Sequence, residues 1–260
     1  MFKKIILLSA GALCLTVTGC STLKGTDPID PYEQVNRKIF KFNRTVDKFA
    51  IRPIAKTYDF VLPSPVKKGV NNFFHNLNTI PDTINDCLQA NFYQAFSDGW
   101  RFAINSTVGI GGLFDVASHM GLKRNYQDFG LTLTKWGAKT PYIMIPILGP
   151  STASDALGII TNYYLFTVYP YINDPSLRVG IVALDLLNLR VNLLPTDKLV
   201  DQSFDPYIFV RNAYLQRRAF LANRNSQRND QQDTYVEEDA KEKTAAAPPV
   251  SYDESANGGV

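Results

Sequence analysis

Few side chains in this chain could do covalent or metal chemistry. Its cysteines are Cys14, Cys20 and Cys87, and its histidines are His75 and His119. Neither histidine has a second histidine or a cysteine at metal-ligand spacing, so each reads as a satisfied surface or core side chain and no metal site is expected. A Gly-x-Ser-x-Gly elbow is absent, and no nucleophile is paired with a base. The glycine run Gly109 to Gly112 lacks the Lys-Ser/Thr of a phosphate loop and has no dinucleotide fingerprint, so it reads as backbone punctuation. Asp128-Phe129-Gly130 matches a kinase tripeptide by coincidence, since no glycine loop or catalytic loop accompanies it. No catalytic residue, cofactor or enzymatic activity is expected.

Cys20 is the exception. Lys3 and Lys4, the apolar run Ile5 to Val17 and then Val17-Thr18-Gly19-Cys20 follow the order of a secretory signal. That run is well short of the ~20 residues a helix needs to cross hydrocarbon. With cysteine where a small residue would otherwise be cut, the segment resembles a bacterial lipobox. The resemblance implies a signal peptide over 1–19 and acylation of Cys20, and several acyl chains on one residue anchor a protein firmly. Ser21 follows in place of the aspartate of inner-membrane lipoproteins, which implies the outer membrane, lipid-anchored on its periplasmic side. With Cys14 removed and Cys20 acylated, Cys87 stands alone and no intramolecular disulfide can form. Ile84 and Leu88 flank it at helical spacing, so it is expected to be a small buried hydrophobe.

The 260 residues, 45% hydrophobic, suffice for one substantial core. The precursor carries 27 basic and 24 acidic residues, and loss of Lys3 and Lys4 leaves 25 against 24. From Arg224 onward four basic residues meet eight acidic ones, so the tail is acidic and the body mildly basic. The basic residues are scattered, which disfavours nucleic acid and suits anionic headgroups better. Residues 224–260 are rich in Asn, Gln, Asp, Glu, Ala and Pro, and are read as a disordered tail. Residues 20–29 are expected to hold the lipidated cysteine and a tether.

The body, 30–223, reads as helical. Asp30, Pro31 and Glu33 form a capping-box pattern, and Val35, Ile39, Phe42, Val46 and Phe49 make one apolar stripe, ending before Arg52-Pro53. A helix from Ser64-Pro65 is predicted to stop near Asn78 to Pro81, a third carries Ile84 and Leu88, and a fourth carries Phe92, Phe96, Trp100, Ala103 and Ile104. Pro141 to Pro150, with three prolines, reads as an apolar loop facing lipid or a partner. Ala156 to Asn173 is free of charge and rich in tyrosine, which fits burial or interfacial insertion better than a crossing because Pro170 interrupts it. Ile181 to Leu194 is apolar except for Asp185 and Arg190, which should face each other, water or a polar cavity, because a lone charge in hydrocarbon costs ~2.5 to 3.5 kcal/mol.

Read in order, Asp30-Pro31-Tyr32-Glu33, Asn36-Arg37, Phe40-Lys41-Phe42-Asn43, Arg52-Pro53, Asn72-Phe73, Asn76-Leu77, Leu88-Gln89, Arg101-Phe102, Asn105-Ser106-Thr107, Gly109 to Gly112, Asp115-Val116-Ala117, Asp128-Phe129-Gly130, Pro141-Tyr142, Gly149-Pro150-Ser151 and Asp205-Pro206-Tyr207 make a body that resembles the MlaA/VacJ lipoprotein family. The resemblance implies an all-α, ring-shaped lipoprotein with amphipathic helices lying in the inner leaflet of the outer membrane around a pore. It implies that phospholipid misplaced in the outer leaflet is removed and passed to a soluble periplasmic carrier, MlaC, with a trimeric porin as companion. Phe42 and Asn43 fall at a family motif tied to control of the pore, with a packed Phe beside a capping Asn as the plainer reading. Asp185, Asn188 and Arg190 are the pore-lining candidates. The other classes in view are a lipid- or peptidoglycan-directed enzyme, for which no residue pair is found, and a structural or adhesion lipoprotein.

Overall fold

The structure, a computed structural model, describes residues 27–224. Cys20, the signal peptide, the start of the tether and the tail beyond Arg224 lie outside the described residues. Helices dominate in the order α1 (Glu33–Val46), α2 (Arg52–Val61), α3 (Ser64–Leu88), α4 (Phe92–Thr107), α5 (Val116–His119), α6 (Phe129–Lys135), α7 (Ala153–Thr161), α8 (Pro175–Leu193), α9 (Asp197–Gln202) and α10 (206–224). Between α6 and α7 lies an antiparallel hairpin, β1 (Tyr142–Ile145) and β2 (Gly149–Thr152), paired from Tyr142 opposite Thr152 to Ile145 opposite Gly149.

The expected solvent relationship of the helices is inverted. Among the described residues, twenty polar or charged side chains are buried against ten apolar ones. On α4 the apolar face is outside, with Phe96 67% and Trp100 54% exposed, while Asp98 and Arg101 are 0% and 4% exposed. Of these inward groups, Asp98 lies against the buried Asp86 of α3, which packs along α4. Buried polar atoms need partners. Asp86 accepts from Asn91, Asn125 and Gln127, and Arg101 spans Asp115 with both contacts at 2.8 Å. Cys87 therefore corrects its expectation: it is exposed beside Phe92, Phe96 and Trp100, because the apolar side of α3 and α4 faces outward. The stripe on α1 behaves likewise, with Phe42 exposed, and Phe49 beyond it is exposed too.

Several predicted boundaries differ for physical reasons. Asp30 does not cap α1 through its side chain. It is fully buried and accepts from Asn36 Nδ2 at 2.8 Å, from Arg211 Nη1 at 3.2 Å and from the Tyr207 hydroxyl, tying the first helix to the last. The chain does not break at Arg52-Pro53 either. A π turn over Asp47–Ile51 carries α1 into α2, with the Arg52 N–H bonded five residues back to Asp47 O, and this wider turn takes up the proline that follows it. Pro81 lies inside a continuous 25-residue α3 instead of ending it. Its buried surroundings hold it in place, and its own carbonyl accepts from Asn85 Nδ2 at 2.8 Å. The Pro141 to Pro150 stretch is the hairpin, not an irregular loop: its prolines fall outside β1, at the turn and in the two-stranded β2.

Two helix starts not predicted from the sequence, and the glycine turn predicted from it, follow local rules. Asp128 caps α6 through Leu131 N at 2.8 Å, and Thr152 caps α7 through Asp155 N at 3.2 Å. The glycine run is a turn in which Gly111 and Gly112 take positive φ, and a Cβ at Gly112 would lie 2.6 Å from Asn76 Cβ. No helix among the described residues is long and apolar enough to cross a membrane.

Candidate functional site

A cavity of about 610 Å³ opens among α1, the π turn, α2, the hairpin, α8, α9 and α10. Most of its wall is hydrocarbon. Phe40, Val46, Ile51 and Ile54 come from the N-terminal helices, Met144, Ile147 and Leu148 from the hairpin, and Ala183, Leu186, Leu187 and Leu193 from α8. The α8 positions recur at steps of three and four, which puts them on one face with Arg190. Leu186 is 49% exposed, an uncompensated apolar surface if only water filled the space.

One part of the wall is ionic. Arg190 of α8 holds Asp47 of the π turn (Nε to Oδ1, 2.7 Å) and Asp197 of α9 (Nη2 to Oδ1, 2.9 Å). Arg52 reaches Asp47, Asp197 and Asp201 at 3.2, 3.4 and 3.2 Å, and Arg44 also holds Asp201. Asp47 and Arg52 are five residues apart and still meet, because the π turn inserts an extra residue between them. Burial works against ionisation of Asp47, but the bonds from Arg190 and Arg52 outweigh it and hold its carboxyl below the ordinary value. The Arg190 guanidinium is raised, first by its hydrogen bond to Asp47. Its Nη1 is buried without a hydrogen-bond partner.

Of the five pore or gating candidates, Asn43 and Arg190 line this cavity, while Phe42, Asp185 and Asn188 are not among its lining residues. Asn43 pins the hairpin tip, donating to Ile145 O at 2.9 Å and accepting from Ile147 N at 2.7 Å. Asp185 does not face Arg190. It accepts from the Tyr169 hydroxyl at 2.9 Å, and burial raises its carboxyl. Asn188 is buried and donates to Asn71 Oδ1 of α3 at 3.1 Å. The two charges diverge because Asp185 and Arg190 are five positions apart, about 140° around an α-helix. Sequence reasoning missed Arg44, Asp47, Arg52, Asp197 and Asp201 as a group. The available signal was a set of charges on helices whose apolar stripes turn outward.

An apolar exterior, a polar interior and a cavity that is part hydrocarbon and part ionic define a helical protein of the membrane interface built around an amphipathic space. A family model for the MlaA lipoprotein matches residues 28–221, and the chain belongs to that family. It is 36% identical over 225 residues to the intermembrane phospholipid transport system lipoprotein MlaA of Escherichia coli, covering 83% of this chain and 88% of the relative. An uncharacterised protein of Rickettsia conorii is 41% identical over 187 residues, 71% of this chain and 74% of the relative. A chain solved in work on the maintenance of bacterial outer-membrane lipid asymmetry superposes with a TM-score of 0.66 at 34% identity, covering 74% of this chain and 98% of that one.

Proposed function

We propose that this protein is the outer-membrane lipoprotein of an intermembrane phospholipid transport system and maintains the lipid asymmetry of that membrane. The observation that carries this reading is the cavity: leucines and isoleucines for acyl chains beside arginines and aspartates for a headgroup. A headgroup crossing hydrocarbon unaided loses its hydrogen bonds at several kcal/mol per group, and a channel of mixed polarity removes much of that barrier without covalent chemistry. Phospholipid misplaced in the outer leaflet enters this space and leaves toward the periplasm. There a soluble carrier of the MlaC type takes it up. Cys20 carries the acyl anchor, Asn43 sets the hairpin against the cavity, and the outward aromatics of α4 face lipid or a trimeric porin. A structural or adhesion lipoprotein would need the anchor and a stable body but no such lined space.

Deleting the gene is expected to raise phospholipid in the outer leaflet of the outer membrane, measured by chemical labelling of whole cells. The wild-type gene is expected to restore it, while Cys20→Ala and the cavity-filling Ala183→Trp are not. An outer leaflet unchanged by the deletion would sink the transport reading and favour the structural one.

A further inference from the structure

The ionic part of the cavity is balanced. Arg44, Arg52 and Arg190 face Asp47, Asp197 and Asp201, and among the described residues no other charged side chain lines the space. These six come from α1, the π turn, α2, α8 and α9, so the cluster forms only when the body is folded. Five of the six line the cavity, and the sixth, Asp201, completes the neutralisation through Arg44 and Arg52. Despite this pairing one buried donor of the cluster has no partner, Nη1 of Arg190, with apolar Leu186 and Leu193 one turn away on either side. A buried donor without an acceptor is unfavourable, and a small turn of the guanidinium that brings Nη1 to the cavity would let a phosphate oxygen satisfy it. Guanidinium matches phosphate in charge and planar geometry, and carboxylates match ammonium.

We propose that this cluster selects a zwitterionic glycerophospholipid headgroup, seating its phosphate against the Arg190 guanidinium, with Nη1 turned into the cavity, and its ammonium against Asp197 or Asp201. The inference rests on the lipid-transport reading. A phosphoethanolamine headgroup adds no net charge to a neutral cluster, and each of its charges finds an opposite partner. A phosphoglycerol headgroup brings the phosphate alone and leaves an excess negative charge beside three aspartates, at the edge of a hydrocarbon wall where charge is poorly screened. Removing one aspartate should reverse that disadvantage.

The test uses the full-length acylated protein in detergent, incubated with mixed micelles of phosphatidylethanolamine and phosphatidylglycerol in equal amounts. Bound lipid is extracted and the two species are counted by mass spectrometry. Wild type is expected to be enriched in phosphatidylethanolamine over the bath. Asp201→Asn, a half-exposed position whose loss the body should tolerate, and Asp197→Asn are each expected to raise the bound phosphatidylglycerol share about threefold or more. Arg190→Gln is expected to abolish the enrichment, and Arg190→Lys, which keeps the charge but not the fork, to restore it only in part. Bound lipid at the bath ratio in wild type, or a ratio unmoved by both aspartate variants, would overturn the headgroup proposal and leave lipid transport standing. Wild-type protein that binds neither lipid would overturn the transport reading itself.

Discussion

Asn43 shows how one amide can hold an element in place. Both halves of its side chain are used, one on the Ile145 carbonyl and one on the Ile147 N–H, at a hairpin tip where Ile147 takes a positive φ of 68°. Asn43→Ala is expected to lower stability by about 1–2 kcal/mol through the two lost bonds. It should also speed amide exchange at Ile147, read by hydrogen–deuterium exchange. A second residue-scale expectation concerns Asp86 and Asp98, buried carboxyls that both titrate high. Burial, and then the neighbouring Asp98, push Asp86 up to about 8, and burial raises Asp98 as well. The folded state therefore keeps a proton that the unfolded chain releases near the ordinary value of 3.8. This contribution is complete at low pH and is lost as pH rises toward about 8. Thermal melts in detergent should fall between pH 5 and pH 9, and Asp86→Asn should flatten that slope. The sequence shows these carboxyls but not their proximity, since Asp86 and Asp98 belong to different helices.

At the scale of elements, α6 and α7 approach through two glycines. A Cβ added at Gly158 would stand 2.6 Å from Gly130 N, and one at Gly130 would run into Asp155, which holds the Arg218 guanidinium of α10. Gly158→Ala is expected to destabilise the body by about 1–3 kcal/mol because the helices must separate. A melting temperature equal to wild type would contradict that close packing. Gly130 looked in the sequence like part of a chance tripeptide. Its role is the space it leaves, which depends on a partner helix that local pattern cannot supply. The same limit explains Pro81 and Arg52-Pro53. Proline is a reliable local stop only when nothing outside the helix compensates it, and here α4 and a π turn do.

For the whole molecule, the outward face fixes the solvent. Both tryptophans, Trp100 and Trp136, are exposed, at 54% and 57%, among other exposed apolar residues such as Phe96 and Phe114. Purified protein reconstituted into vesicles containing brominated phospholipid is expected to lose most of its tryptophan fluorescence. Unquenched emission would place this surface in water and refute the inverted reading. Detergent removal is expected to aggregate the protein, since monomeric soluble proteins rarely expose apolar patches of this extent.

Residue order alone determined the anchor motif, the helical periodicities and the family likeness, because these depend on neighbours within a few positions or on an ordered string of motifs. It also determined that each amphipathic helix has two unlike faces. Which face points inward was decided by the tertiary structure, because periodicity is the same whether the surroundings are water or lipid. The balanced cluster around Arg190 was likewise decided there. Its members span positions 44 to 201, and only the packing of α1, α2, α8 and α9 brings their charges within hydrogen-bond reach.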